Sequence, residues 1–247
     1  MKKIDILVGS EGQIGREIKK SIQNSVDKLF CIDIQDACTS FCSDFYQLDV
    51  SISGLPRGIM QFIEENDSTL EDVTLINCFG LIESKTFMSI SSDCNDLQTD
   101  FNTDIDYICS SLRANTALPL SLSIQFGNLL ASLRLKGNVI NFSSVASHGN
   151  IGQLSYSASK AAVEIGTKVL AKEFGPIGIR FNCLAPGYLK TKTMYDNTDI
   201  TKLGAIENSI ALRRLGDIES IVKGVSFIKD CKFINGETIR VDGMHTL

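Results

Sequence analysis

Tyr156-Ser-Ala-Ser-Lys160 places a phenol and an ammonium four residues apart. On a helix that spacing puts both on one face, one turn apart. A cation beside a phenol favours the phenolate and lowers a pKa that is ordinarily about 10. A tyrosine tuned in this way exchanges a proton with a reacting oxygen near neutral pH. Ser143 lies thirteen residues upstream and Asn115 further back, so four polar side chains are available to converge on one carbonyl or alcohol oxygen. Tyr-x-x-x-Lys alone is a short pattern that also arises without function. Its surroundings decide.

A second chemical feature lies near the N-terminus. A short apolar run, residues 3–8, enters Gly9-Ser-Glu11-Gly12-Gln13-Ile14-Gly15, and a helical pattern follows. Glycines at a strand-to-helix turn let the backbone approach a pyrophosphate, and the helix N-terminus offers free N–H donors and a favourable dipole. Eighteen residues after Gly15 the run Leu29-Phe-Cys-Ile-Asp33 ends in a carboxylate. Asp33 is suited to a ribose 2′-hydroxyl and repels a 2′-phosphate, and Glu11 adds negative charge near the turn. NAD is therefore expected in preference to NADP.

Positioning these groups requires alternating elements. Strand-like runs occur at 3–8, 29–33, 73–78, 137–142, 178–183 and 238–241, and helical patterning at 13–25, 54–66, 105–134, 156–174 and 217–229. The alternation predicts βαβ units and a parallel sheet covered on both faces. Segments such as Val73-Thr-Leu-Ile76 and Val139-Ile-Asn-Phe142 fit strands buried on both sides. No repeat or interdomain linker interrupts the 247 residues, so one domain is expected over 1–247. Residues 83–104, rich in Ser, Asp, Asn and Thr, read as a surface insertion.

Composition removes several classes. With 43% hydrophobic and 21% charged residues the chain can bury a full core. A net charge of -5 without a Lys/Arg block argues against a nucleic-acid surface. No apolar run approaches the roughly 18 residues of a membrane span. Met1-Lys-Lys-Ile-Asp-Ile-Leu-Val-Gly9 carries Asp5 in its apolar part and reads as a strand rather than a signal peptide. Eight cysteines, at 31, 38, 42, 78, 94, 109, 183 and 231, show no metal-binding spacing, so no metal is expected. Scattered thiols without an export signal predict a reducing, cytoplasmic setting.

With these features together, the chain resembles the short-chain dehydrogenase/reductase family over nearly its whole length. The matching residues follow in order: the turn at 9–15, Asp33, Asp49-Val50, Asn77-Cys-Phe-Gly80, Asn115, Ser143, Tyr156 with Lys160, Arg180-Phe-Asn182, Pro186-Gly187 with Thr191, and Asn235-Gly236 with Val241-Asp242-Gly243. The resemblance implies a three-layer αβα Rossmann fold with a doubly wound parallel sheet. It implies Tyr156 as general acid/base, with Lys160 lowering its pKa and holding the nicotinamide ribose. Ser143 would orient the substrate oxygen, and Asn115 would anchor a water relay from Lys160. Gly9, Glu11, Gly12, Gln13, Ile14 and Gly15 would cradle the cofactor, Asp49 and Val50 would bracket the adenine, and Asn77 and Gly80 would lie along it. Pro186, Gly187 and Thr191 would approach the nicotinamide and phosphates.

Three departures qualify the match. Gly-x-x-Gly-x-x-Gly, with Gln13 where the single-domain branch has glycine, belongs to the longer branch that handles nucleotide sugars. Counting back from Tyr156 selects Ser143, whereas aligning the Ser-Ser pair selects Ser144; Ser143 is preferred and Ser144 competes. The interval from Asn77 to Asn115 is longer than the family's, which makes 83–104 either a substrate cover or a plain surface loop. Residues 188–212, with Tyr188 and Met194, correspond to a substrate lid in relatives. His148 lies on the substrate side but reads first as a loop residue, Arg213-Arg214 as a solvated pair, and His245 receives no role. The expected activity is NAD-dependent interconversion of a secondary alcohol and a ketone, on a small-molecule substrate such as a sugar or nucleotide sugar. The alternatives are a 3-oxoacyl-thioester reductase and a non-catalytic NAD-sensing protein. By analogy with relatives, the chain is expected as a homodimer or homotetramer.

Overall fold

The computed structural model describes residues 2–36, 42, 44–82, 84–85, 101–196 and 198–245. Among these, the apolar runs form one seven-stranded sheet from β1 (Lys2–Val8), β2 (Lys28–Asp33), β3 (Asp44–Gln47), β4 (Leu70–Asn77), β5 (Gly137–Phe142), β6 (Ile179–Pro186) and β7 (Thr238–Val241). Their order is β3-β2-β1-β4-β5-β6-β7, and every neighbouring pair is parallel. The order reverses between β1 and β4, the switch point outside whose strand ends a doubly wound sheet opens a ligand crevice.

Strand periodicity sends alternate side chains to opposite faces. Ile6, Leu75 and Val139 join a core with α3 (Arg57–Asn66), α5 (Leu118–Ser132) and α6 (Leu154–Phe174). Leu7, Ile76 and Ile140 join the other, with α1 (Gln13–Ile22) and α9 (Ile218–Asp230). Helices on both faces complete the expected three-layer αβα architecture. The predicted helix over 105–134 is divided into α4 (Phe101–Leu112) and α5 by a π-helical turn, Arg113–Ala117, which contains Asn115. Such turns loosen the regular i→i−4 ladder and are frequent at functional sites. Sequence patterning did not indicate β3, α2 (Val50–Ser53), α7 (Lys192–Asp196) or α8 (Ile200–Ser209). β3 pairs on one side only, and its Asp44-Phe-Tyr-Gln run lacks the continuous apolarity of a buried strand.

The Arg180-Phe-Asn182 and Asn235-Gly236 motifs have a structural function. Arg180 donates to the carbonyls of Ile228, Lys229, Cys231 and Ile234, which belong to the last turn of α9 and the segment after it. It is 9% exposed; its bond to the Ile228 carbonyl is buried and the other three are part-buried. Asn182 donates to the Ile234 carbonyl, and Asn235 accepts from the backbone of Phe181. The helix end therefore depends on one guanidinium. Arg180→Met is expected to cost about 1–3 kcal/mol, because it strands the buried Ile228 carbonyl and removes three part-buried bonds. Urea unfolding checks this, and a loss below about 1 kcal/mol would mean that water replaces the cap.

Candidate active site

The site is assembled at the C-terminal ends of β4, β5 and β6, against the start of α6. Tyr156 and Lys160 are 7% and 3% exposed. Lys160 Nζ donates to the Phe142 carbonyl at 2.8 Å and lies 5.8 Å from the centre of the Tyr156 ring. Gly80 makes this possible: a Cβ there would stand 2.6 Å from Asn115 Oδ1 and 3.2 Å from Lys160 Nζ. Burial pulls the Lys160 ammonium down to about 8, only partly opposed by the neighbouring Cys183 and Cys78 thiols.

Tyr156 behaves differently from the expectation. Burial raises its pKa, which outweighs a lowering hydrogen bond from Ser144, and Tyr188 raises it further. The ammonium expected to depress it is turned onto the Phe142 carbonyl instead. In this arrangement desolvation is the largest influence on the phenol.

The two candidate serines have different surroundings. The Ser143 hydroxyl has one hydrogen to give, within reach of the Glu164 carboxylate and, at 3.2 Å, of the Lys160 carbonyl, so it is committed to α6. Ser144 is the serine whose side chain acts on the Tyr156 phenol. Adjacent residues leaving a strand point to opposite sides, and the loop before Tyr156 places Ser144 beside the phenol.

Asn115 is fully buried, and its side chain is occupied. Its amide donates to the Leu81 carbonyl at 2.8 Å and to Ser111 at 3.2 Å, while its Oδ1 accepts from the Leu81 N–H at 2.8 Å. It clamps the loop that carries Gly80. Asn77 is likewise directed inward, donating to Asn141 at 2.8 Å.

At the other end of the crevice, Gly15 must lack a side chain, since a Cβ there would stand 2.0 Å from the Gly9 carbonyl. Gly12 is the N-cap of α1 and supplies no side-chain cap, which leaves the first-turn N–H groups to a ligand. Asp33 accepts from the Glu11 N–H at 2.8 Å and the Gln35 N–H at 3.0 Å, which fixes its carboxylate beside the turn. Glu11 departs from its expected role. It is 2% exposed and paired with the buried Lys19 and with Arg16, so its charge is neutralised beneath α1. Asp49 accepts from the Ser51 N–H as the N-cap of α2, which begins at the buried Val50.

Gln13 reaches across the crevice: its Oε1 accepts from the Lys192 N–H at 3.0 Å, at the start of α7. Thr191, preceding it, accepts from the Met194 N–H. Gly187 hydrogen-bonds to Val241 just after Pro186 and lies against Asp242. His148 contacts Arg240 at the surface, and Arg214 pairs with Asp217 at 3.3 Å, as expected of a solvated charge. Asn150, which no spacing had singled out, donates to the Tyr188 hydroxyl at 3.0 Å. Most of the 83–104 insertion lies outside the described residues; Lys85 at its edge donates to the Gly152 carbonyl.

The family described as enoyl-(acyl carrier protein) reductase matches residues 33–245. The short-chain reductase protein NovJ of Streptomyces niveus is 30% identical over 179 residues, 68% of this chain and 62% of its own length. A 3-oxoacyl-[acyl-carrier-protein] reductase, FabG of Buchnera aphidicola subsp. Baizongia pistaciae, is 27% identical over 253 residues, 98% of this chain and 96% of its own. The (3R)-3-hydroxyacyl-CoA dehydrogenase of Canis lupus familiaris is 29% identical over 201 residues, 80% and 72%. Among solved structures, a short chain dehydrogenase from Leptospira borgpetersenii serovar Hardjo-bovis with bound NAD+ superposes with a TM-score of 0.80 at 23% identity, covering 100% of this chain and 94% of its own. A 4-hydroxyisoleucine dehydrogenase complexed with NADH gives 0.77 at 23% identity, covering 98% and 97%. The chain belongs to the short-chain dehydrogenase/reductase family, and so stands among oxidoreductases.

Proposed function

We propose that the protein is an NAD-dependent oxidoreductase interconverting a secondary alcohol and a ketone. The observation that carries the reading is the meeting of Ser144, Tyr156 and Lys160 at the end of β5, in the crevice that begins at the glycine turn. The turn fits a dinucleotide, with the close approach at Gly15, the uncapped start of α1 and a fixed Asp33 carboxylate. Asp33 with the N–H groups near Ile14 and Gly15 would hold it, and Asp33 favours a free 2′-hydroxyl. The NADH- and NAD+-bound neighbours agree with that preference. When bound, a nicotinamide dinucleotide would accept the hydride in oxidation and supply it in reduction.

The chain's own part is proton transfer and orientation. Tyr156 Oη takes the proton of the alcohol in oxidation and returns it to the ketone oxygen in reduction. Ser144 Oγ holds that oxygen and the phenol together. Lys160 would hold the ribose of the bound cofactor, and Asn115 keeps the Gly80 loop close enough to hold the lysine in place.

A spectrophotometric assay tests this. NAD+ or NADP+ is mixed with secondary alcohols, sugar nucleotides and a 3-hydroxyacyl thioester, and absorbance of the reduced cofactor is followed. The expected result is turnover with NAD+ and little with NADP+. A preference for NADP+ would reverse the reading of Asp33, and tight NAD binding with no turnover of any member would favour a sensor. The thioester belongs in the panel because two of the relatives are named for 3-oxoacyl and 3-hydroxyacyl substrates.

We also propose that copies associate through α5 and α6. Ile124, Ile165 and Val169 are 42%, 65% and 48% exposed there, an apolar set suited to a second copy. Sedimentation equilibrium is expected to give a multiple of 27.0 kDa, and a monomer would refute the assignment.

A further inference from the structure

Tyr188 is held on three sides. Its carbonyl accepts from the Gly216 N–H at 2.9 Å, its ring meets His245 edge-on at 5.1 Å, and its hydroxyl oxygen accepts from Asn150 Nδ2 at 3.0 Å. Asn150 is fixed in turn: its amide also donates to Gln153 Oε1 at 2.9 Å, and its backbone N–H donates to Ser157 Oγ at 3.2 Å. The His245 end is pinned by backbone pairing of Ala211 with Met244 and of Leu212 with Gly243. The next residue, Leu189, is 6% exposed and anchored in the core beneath α9. A tyrosine fixed in this way is preorganised rather than carried on a free loop.

The direction of the Asn150 bond matters. Both amide hydrogens of Asn150 are used, one of them on the Tyr188 oxygen, so that oxygen already serves as an acceptor. A phenol donates one hydrogen. No described residue accepts the Tyr188 proton, and Asn150 lies midway along the loop between Ser144 and Tyr156. The Tyr188 hydroxyl therefore has a proton left to donate, beside the loop that precedes Tyr156, and its presence is felt at the Tyr156 phenol.

We propose that Tyr188 reads a second oxygen of the substrate, close to the reacting carbon, so that the substrate is an oxygenated ketone or alcohol rather than a plain hydrocarbon one. This rests on the oxidoreductase reading above. The required chemistry is an acceptor oxygen, which either the thioester carbonyl of a 3-oxoacyl group or the hydroxyl of a hydroxyketone provides. A site built to donate to such an oxygen discriminates against substrates that lack it.

The test follows reduction by NADH of three probes: an acetoacetyl thioester of N-acetylcysteamine, acetoin, and cyclohexanone. Tyr188→Phe is expected to raise KM for at least one oxygenated probe about tenfold with kcat retained, and to leave cyclohexanone within about twofold. Whichever oxygenated probe responds identifies the source of the second oxygen. Asn150→Asp keeps the Tyr188 hydroxyl but offers a carboxylate that captures its proton, and the same selective defect is expected. Equal losses on all three probes would assign Tyr188 a purely structural part and overturn the proposal, as would no change on any. No turnover of any probe by the unmodified protein would instead overturn the oxidoreductase reading, and the donor role with it.

Discussion

Tyr156→Phe is expected to lower kcat for alcohol oxidation by about three orders of magnitude while leaving NAD binding nearly unchanged. The ring is buried at the start of α6, so phenylalanine keeps the packing and removes only Oη. Ser144 then orients the substrate oxygen without a group to exchange its proton. Calorimetric NAD titration beside steady-state kinetics separates the two effects, and a variant within tenfold of the parent would remove Tyr156 from the mechanism. The pH profile has a definite sign. Because burial raises the phenol's pKa, the basic form that accepts a proton is scarce at neutral pH, and oxidation should accelerate as pH rises. Reduction needs the protonated phenol and should be flat near neutrality. An oxidation rate that falls with rising pH in this range would contradict the assignment.

Lys160→Met is expected to abolish turnover and yet to stabilise the fold at neutral pH. A lysine in the unfolded chain titrates near about 10.4. Burial holds Lys160 at about 8 in the folded protein. Between these values the unfolded chain binds more protons, so stability rises with pH from about 8 to about 10.4. Below about 8 the whole cost of the buried ammonium is present, about 3 kcal/mol from the displacement of its pKa. Methionine removes that cost but leaves the Phe142 carbonyl without its partner, which takes back about 1 kcal/mol or more. Urea titrations at pH 7 and pH 10 should show a gain at pH 7 that shrinks at pH 10. A variant less stable than the parent at pH 7 would mean that the bond to Phe142 outweighs desolvation. A gain at pH 7 would mark Lys160 as a residue retained in the site at a cost in stability.

The central strands and the long helices were legible in the sequence. Leu75, Ile76, Val139 and Ile140 lie in continuous apolar runs because both faces of their strands are covered. β3 was not legible, since Asp44–Gln47 pairs on one side only and carries no such run. The split between α4 and α5 was also hidden, because the apolar pattern over 105–134 continues through a π turn that changes the hydrogen bonding but not the composition. Glu11 illustrates the same limit. Its charge is visible in the sequence, but its burial against Lys19 follows from helix α1 folding over it.

By itself, the sequence determined the order of chemical parts: a glycine turn, an acid after the second strand, and a tyrosine and lysine one helical turn apart. Those features are local, set by spacing and backbone period, and they survive any detail of packing. Tertiary structure alone decided which serine meets the phenol, because one residue of register at the end of β5 sends Ser143 to Glu164 and Ser144 to Tyr156. The upward push of burial on the phenol's pKa is tertiary as well, since desolvation depends on everything packed around Tyr156. The pairing of Asn150 with Tyr188, 38 residues apart, belongs to the same category, for chain spacing carries no information about which loops meet over a crevice.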